Sequence, residues 1–478
     1  MNNPELERLY ELKQKIRSTG MNPEANIILL DGRGKNIPNG VTYEVGKEIA
    51  FTLKRLNQGY FLVSGDGRIS TPQMIRELTE ALTDNGITVL YAGYNNPTPM
   101  FEIERARLGI SGANITASHQ SFEYNGLKLV FERNANGKEA EEELRQGIKL
   151  RGTIKTYNVQ PSLRKHYIET LSGKVRGTRT DNHKGLVLYD AMQGVSFPFF
   201  REIADEKKIR YEGFRTEPDG FFSLTDGGPD PSRVGNYRII KEAIPDLTKY
   251  GIICLVDGDG DRFSAAISSG LIKPPVLVVM RALHLRPEKF IAEYCLASII
   301  REYLQNKGIE VIGVKRGRPS LISKTKEHKA PGAEIGLHHY NDEGVDDGIE
   351  NAFEMISLAE QENIGKRIKE IEDGIRRFIP EIRVATQQNS KAIAEMVAEK
   401  YASLSPSTKD GMILEKDDYA LYIRGSSNEN KITVNANATR QGTLDGIVEG
   451  AFAKLSEIEP GLGERLRKKL EEETTKNR

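Results

Sequence analysis

Apolar residues along the chain fall into short runs separated by longer stretches with helical spacing. The runs 26–31 (NIILLD), 60–64 (YFLVS) and 87–92 (ITVLYA) read as strands, with helices over 43–56 and 72–84 between them, the second stopped by Asn85-Gly86. Strands spaced by helices require right-handed crossovers and a mainly parallel sheet. The alternation recurs in 185–190 (GLVLYD), a helix near 195–207, 208–214 (KIRYEGF), a helix near 233–243 and 251–257 (GIICLVD). It recurs again in a helix over 288–306, the strand 309–314 (IEVIGV) and a helix over 346–360. The last part differs. After a helix at 390–402, residues 411–423 and 431–438 alternate as paired antiparallel strands, followed by helices at 442–456 and 461–475. The pattern predicts an α/β protein: three similar mixed α/β domains plus a smaller C-terminal α+β domain. The expected boundaries are 1–175, 176–270, 271–380 and 381–478, with 378–390 as the hinge into the last domain.

Composition narrows the class. Lys plus Arg equals Asp plus Glu at 68 each, so the formal charge is zero. Nucleic-acid binding rests on a basic excess, and the one basic cluster, Arg465, Arg467, Lys468 and Lys469, alternates with glutamates as a solvated helix face, so no nucleic-acid partner is expected. No run approaches about 18 apolar residues, and no membrane span is expected. The segment 1–16 reads as an amphipathic helix with acidic residues rather than a signal peptide. Cys254 and Cys295 sit in apolar contexts and read as buried free thiols, which suits a reducing compartment; the cytoplasm is the expected location.

Two segments carry the sharpest chemistry. DGDGDR (257–262) follows directly on an apolar strand, beyond its carboxyl end, where open α/β sheets place ligands. Asp257, Asp259 and Asp261 alternate, so an extended segment turns all three carboxylates to one side. Hard oxygen ligands of this kind suit Mg²⁺ with a phosphate oxygen in the shell. An EF-hand needs Gly at its sixth position and Glu at its twelfth; Arg262 and Ser268 stand there instead. The alternative is an Asp/Gly turn that binds nothing, which leaves three carboxylates repelling one another. The second segment, 115–131 (ITASHQSFEYNGLKLVF), presents Ser118 and His119 at a strand end with Lys128 returning nearby. Adjacent residues in a strand point to opposite faces, so taken alone an exposed turn is the simpler reading.

Together the segments are more specific. TASHQ followed by EYNGLK resembles the catalytic loop of the α-D-phosphohexomutases, the phosphomannomutase/phosphoglucomutase superfamily, and DGDGDR matches that family's metal loop. VSGDGRIS (63–70), GYNNPTP (93–99), PDGFFSLTDGGPDP (218–231), GAEIGLHHYNDEGVDDGIENAF (332–353) and RGSSNENK (424–431) resemble further landmarks of the family, in order. The resemblance implies four domains around a central cleft and an isomerase moving phosphate between C6 and C1 of a hexose, glucose or mannose, through a phosphoserine and a bisphosphate. It implies phosphorylation of Ser118, with His119 beside it, Lys128 and Arg262 at the transferring phosphate, and Mg²⁺ held by Ser118, Asp257, Asp259 and Asp261. Glu334 and His338 would read sugar hydroxyls. Arg424, Ser426, Ser427 and Asn428 would hold the second phosphate, and Arg33 matches a family arginine with its spacing off by one.

The departures spare the catalytic and metal residues but reach the sugar readers. Gln120-Ser121 replaces the Asn-Pro after TASH, Gly336-Leu337 replaces Ser-Gly in the sugar loop, Pro319 stands at an expected polar reader, and Asn430 replaces a proline. Phosphoglucosamine or a phosphopentose are the alternative substrates, and a non-catalytic phosphosugar-binding regulator is the alternative function. The intact charged residues favour the enzyme.

Overall fold

The computed structural model describes residues 26–30, 41–132, 135, 137–150, 155–175, 186–408, 410–426 and 430–476. Arg33, Ser427, Asn428 and the helix expected over 1–16 lie outside the described residues. The chain forms two compact units, Met1–Ser268 with Val345–Gln361, and Ser269–Gly344 with Glu362–Arg478.

In the first unit, Tyr60–Gly65 lies between Thr88–Tyr91 and Ser111–Ile115, all parallel. Asn125–Val130 then runs antiparallel to Ser111–Ile115, with Asn114 opposite Lys128. Val45, Ile49 and Leu53, spaced one helical turn apart on Val41–Arg55, bury against Met74 and Leu78 of Thr71–Asp84 and against Phe61 and Val63. Each such side chain contributes about 1.5–3 kcal/mol by leaving water. This packing fixes the ends of the central strands, from which the Ser118 loop projects.

A second sheet joins Tyr211–Phe214, Leu186–Asp190 and Tyr250–Val256 in parallel, and Phe263–Ile267 returns antiparallel to Tyr250–Val256. The turn between those last two strands is DGDGDR. The helix Gly348–Gln361, distant in sequence, packs on this sheet's strand Tyr250–Val256 and stacks Phe353 on Phe200 with centroids 5.0 Å apart.

In the second unit, Lys289–Glu293 pairs in parallel with Glu310–Val314 and Gly332–Ala333, and His339–Tyr340 closes the edge antiparallel. The helix expected over 288–306 is therefore a strand followed by the helix Tyr294–Gln305. KFIAE pairs on both sides, and that pairing outweighs its helical spacing. The last sheet is antiparallel throughout: Arg377–Phe378, Ile382–Ala385, Tyr419–Gly425, Lys431–Ala438 and Met412–Glu415. The stretch 378–390, expected as a hinge, thus supplies a strand of this sheet, with Ile382 wholly buried in its core. Both cysteines are buried and free, and burial pushes the Cys254 thiol far up. Among the described residues no helix is long and apolar enough to cross a membrane.

Candidate active site

The site of the first unit is built where the two sheets' loops meet. After Ser111–Ile115 the backbone turns sharply, and Ser118 takes a left-handed φ of 53°. That turn breaks the strand alternation, which is why Ser118 and His119 approach each other, Oγ to Nδ1 at 3.4 Å, instead of facing opposite ways. The Ser118 amide donates to Thr116 Oγ1 at 2.9 Å. Its hydroxyl, 3.2 Å from Asp257 Oδ2, points at the acidic loop.

Three successive carbonyls of that loop are held by amides from separate segments. Val195 donates to Gly258 O at 3.2 Å, Thr98 to Asp259 O at 2.8 Å, and Gly348 to Gly260 O at 2.9 Å. Gly260 sits at φ 78°, and a Cβ on Gly348 would meet Gly260 O at 2.9 Å and Arg262 O at 2.6 Å, so both positions require glycine. The helix Gly348–Gln361 is capped by Asp347, which accepts from the Ile349 and Glu350 amides and from Tyr167 Oη at 2.8 Å.

Asp257, Asp259 and Asp261 are wholly buried, with ligand oxygens within 4.8 Å of one another. Lys128 reaches Asp259 Oδ2 at 2.8 Å and also pairs with Asp261 Oδ2. Thr98 Oγ1 at 2.6 Å and Thr116 Oγ1 at 3.0 Å complete the partners of Asp259 Oδ2. Burial and the charges of Asp261 and Asp259 push the Asp257 carboxyl well above its ordinary range. Burial acts on Asp259 too, but Lys128 and the two threonines outweigh it and hold that group below its ordinary value. Asp259 Oδ1 is buried without a hydrogen-bond partner among the described residues. An all-oxygen set with an orphaned carboxylate oxygen fits a hard divalent cation.

Arg262 donates its amide to Asp257 Oδ1 at 3.1 Å and its guanidinium contacts His119 Nδ1. His119 Nε2 lies 3.9 Å from Asp230 Oδ2. A serine hydroxyl, a buried acidic cluster that could hold a cation, and two cationic side chains beside it can carry and transfer a phosphoryl group. Sequence reading gave no role to Thr98, Thr116 or Arg68, although each lies in a quoted motif (PTP, TAS and GDGR). Arg68 is buried and bonds to the backbone of the Ser118 loop.

In the second unit, Glu334 Oε1 and His338 Nε2 lie 3.8 Å apart across a tight turn whose Leu337 has φ 69°. A bulky residue there costs about 1 kcal/mol or more in backbone strain, offset by its own burial. The Ile335 amide donates to Glu293 Oε1 at 2.8 Å, and Glu293 Oε2 lies 3.3 Å from Arg316 Nε. Burial pushes Glu293 up to about 7 despite Arg316. Arg316 also takes Glu381 in a fork and donates its amide to Asp410 Oδ2 at 2.9 Å. Burial would raise Glu381, but Arg316 outweighs it and brings that carboxyl to about 2. Arg424, at the end of Tyr419–Gly425, holds Asp410 Oδ1 at 3.3 Å, and Ser426 continues the chain from there with its amide on Lys431 O at 2.9 Å.

The family description "Phosphoglucomutase/phosphomannomutase, alpha/beta/alpha domain I" matches residues 32–153, and that for domain II matches residues 165–270. A phosphoglucomutase of Neisseria gonorrhoeae is 24% identical over 455 residues, covering 90% of this chain and 95% of its own length. Among solved structures, a phosphoglucomutase/phosphomannomutase family protein from Burkholderia thailandensis superposes with a TM-score of 0.72 at 21% identity, covering 92% of this chain and 97% of that one. The Aspergillus fumigatus N-acetylphosphoglucosamine mutase, solved in complex with GlcNAc-6P and magnesium, gives 0.58 at 14% identity, covering 94% and 92%. These likenesses show a shared fold of mixed α/β sheets.

Proposed function

The chain belongs to the α-D-phosphohexomutase superfamily, and from that premise we propose that it interconverts hexose 6-phosphate and hexose 1-phosphate, of glucose and/or mannose, by way of phospho-Ser118. The phosphosugar is its small-molecule partner. The observation that carries this reading is the Ser118 hydroxyl 3.2 Å from Asp257 Oδ2, at the edge of the three-carboxylate cluster.

In the proposed cycle a sugar hydroxyl oxygen attacks the phosphorus on Ser118; the new P–O bond forms as the serine's breaks, and the hydroxyl's proton ends on the released Ser118 oxygen, giving a sugar bisphosphate. The bisphosphate's other phosphate then returns to Ser118 by the reverse exchange, leaving the isomeric monophosphate. Lys128 and Arg262 supply positive charge to the equatorial oxygens, where phosphoryl transfer builds its negative charge. His119 orients Arg262 through its ring nitrogen. Asp257, Asp259 and Asp261 would hold Mg²⁺ with the phosphoserine oxygen. When bound, the ion supplies Lewis-acid stabilisation of the phosphoryl charge.

Substrate recognition is assigned to the second unit and to residues outside the described ones. Glu334 and His338 would contact sugar hydroxyls, and Arg424, Ser426, Ser427 and Asn428 would clamp the phosphate that is not reacting, with Arg33 as a further contact. The four loops are assigned one to each of four domains, 1–175, 176–270, 271–380 and 381–478. Gly336-Leu337 in the sugar loop lacks the hydroxyl of the usual serine, so a relaxed or shifted sugar preference, with phosphoglucosamine or a phosphopentose as substrate, is the second reading within the same chemistry. The test is a coupled mutase assay across glucose, mannose and glucosamine phosphates, with and without EDTA. Turnover abolished by EDTA and restored by Mg²⁺ supports the reading. Absence of turnover on every phosphosugar would sink it.

A further inference from the structure

Arg68 is among the most deeply buried side chains of the first unit, 1% exposed, and it lies 50 residues from Ser118 in sequence. A guanidinium has five N–H donors in a rigid plane. All five are used here. Nε donates to Asp66 Oδ2 at 3.1 Å, Nη1 to Ser121 O at 2.7 Å and Tyr124 O at 2.9 Å, and Nη2 to Ser118 O at 2.7 Å and Gln120 O at 2.8 Å. Asp66 is in turn fixed by the Arg68 amide at 3.0 Å and Thr71 Oγ1 at 2.9 Å. The Phe222 ring lies over the guanidinium at 4.9 Å.

Four carbonyls of one loop thus converge on a single cation. Converging carbonyl dipoles repel, so this loop conformation depends on the donor at its centre. Within the loop the backbone supplies the bonds Gln120 N to Ala117 O and Tyr124 N to Ser121 O, both at 3.1 Å. The loop from 116 to 124 contains no proline to stiffen it. One gripped carbonyl is that of Ser118, the residue with the left-handed φ. The orientation of that peptide decides where the Ser118 hydroxyl points relative to Asp257.

We propose that Arg68 is a positioning residue for phosphoryl transfer: its five-donor grip holds Ser118 in the strained turn that aims its oxygen at the acidic cluster. It touches neither substrate nor the reacting atoms. A misplacement of about 1 Å costs on the order of 10²-fold in rate, because the reacting atoms must be prealigned. Lysine offers three donors and no plane, so Arg68→Lys leaves at least two of the five acceptors unpaired.

The inference rests on the mutase reading, so the reference is wild-type protein that carries phosphate on Ser118 and turns over; a wild type lacking both fails that reading. Arg68→Lys is then compared for kcat and KM on the preferred hexose 1-phosphate, for melting temperature, and for the ³¹P resonance of phospho-Ser118. The expected result is a kcat lowered by about 100-fold, with KM changed less than about threefold and a shifted, broadened phosphoserine line. Asp66→Asn, which loosens the grip without removing it, is expected to lower kcat by about tenfold in the same pattern, and it decides the matter should Arg68→Lys fail to fold. A folded Arg68→Lys with kcat within about threefold of wild type and an unchanged ³¹P line overturns the proposal. So does an Asp66→Asn protein with unchanged kcat, or a loss carried by KM alone.

Discussion

Replacing Lys128 by Met removes the one lysine that the acidic loop shares between two carboxylates. Its ammonium is 1% exposed and meets Asp259 and Asp261, both wholly buried. Breaking a buried ion pair from one side costs about 3–5 kcal/mol, since the remaining charges keep their desolvation penalty. The unit that contains the site has roughly 285 residues, and unfolding entropy of about 2.1 cal/mol/K per residue then makes each kcal/mol worth about 1.7 °C. In EDTA the Lys128→Met protein is expected to melt about 5–8 °C below wild type. A divalent cation supplies the missing charge, and at about 100 times Kd it returns about 2.7 kcal/mol, or about 4–5 °C. The wild type should gain less from Mg²⁺, because Lys128 already opposes the cation. Scanning calorimetry with EDTA and with Mg²⁺ reads both shifts. A Lys128→Met protein that melts with wild type in EDTA, or ignores Mg²⁺, refutes the electrostatic account of the cluster.

Glu293 should make the second unit less stable as pH rises. Its folded value of about 7 exceeds the ordinary 4.5, so the folded state holds the proton more tightly, and the contribution is full below about 4.5 and lost by about 7. The whole effect is about 3 kcal/mol, and Glu293→Gln should flatten the melting temperature between pH 5 and 8; equal slopes in both proteins would reject it. At Gly336 an added Cβ would meet Glu334 Oε1 at 3.4 Å, ordinary contact, so Gly336→Ser should fold normally. Its hydroxyl beside Glu334 should widen the gap between glucose and mannose phosphates from less than about tenfold in kcat/KM; an unchanged ratio counts against the assigned sugar loop. Asp410→Asn weakens the carboxylate that holds Arg424, and if Arg424 grips phosphate, KM for the phosphosugar should fall by a few-fold in steady-state assays; a raised KM argues that Asp410 aligns the arginine.

Which parts were legible follows from how far each contact reaches along the chain. Strand runs and the DGDGDR turn declare themselves locally; the three carboxylates do converge, but through a turn closed by Gly260 N on Asp257 O, with Gly260 at φ 78°, and not through the extended segment that their alternation suggested. The strand Lys289–Glu293 was hidden because it follows the helical spacing of the residues after it, and only pairing on both edges reveals it. The Ser118-His119 pair is weak when taken alone and becomes specific only beside DGDGDR; the left-handed backbone that brings the two side chains together is not legible in the sequence. Nothing local links Arg68 to Ser118 or Thr98 to Asp259, 161 residues on. The Arg316 cluster is equally remote from view, since its partners Glu293, Glu381 and Asp410 come from separate segments. The exchange of Gly for Leu at 337 was visible as a departure, but its consequence, a bulky residue at φ 69°, needed the backbone.

The central claim is that Ser118 carries the phosphate that moves. Protein labelled with ³²P on Ser118 should be mixed with unlabelled hexose 1-phosphate and Mg²⁺, quenched within one turnover, and divided into protein and sugar fractions. The account predicts that label leaves the Ser118 peptide and enters sugar bisphosphate and monophosphate, and that Ser118→Ala neither takes label nor turns over. Wild-type turnover with the label still on the protein, or an active Ser118→Ala protein, would contradict it.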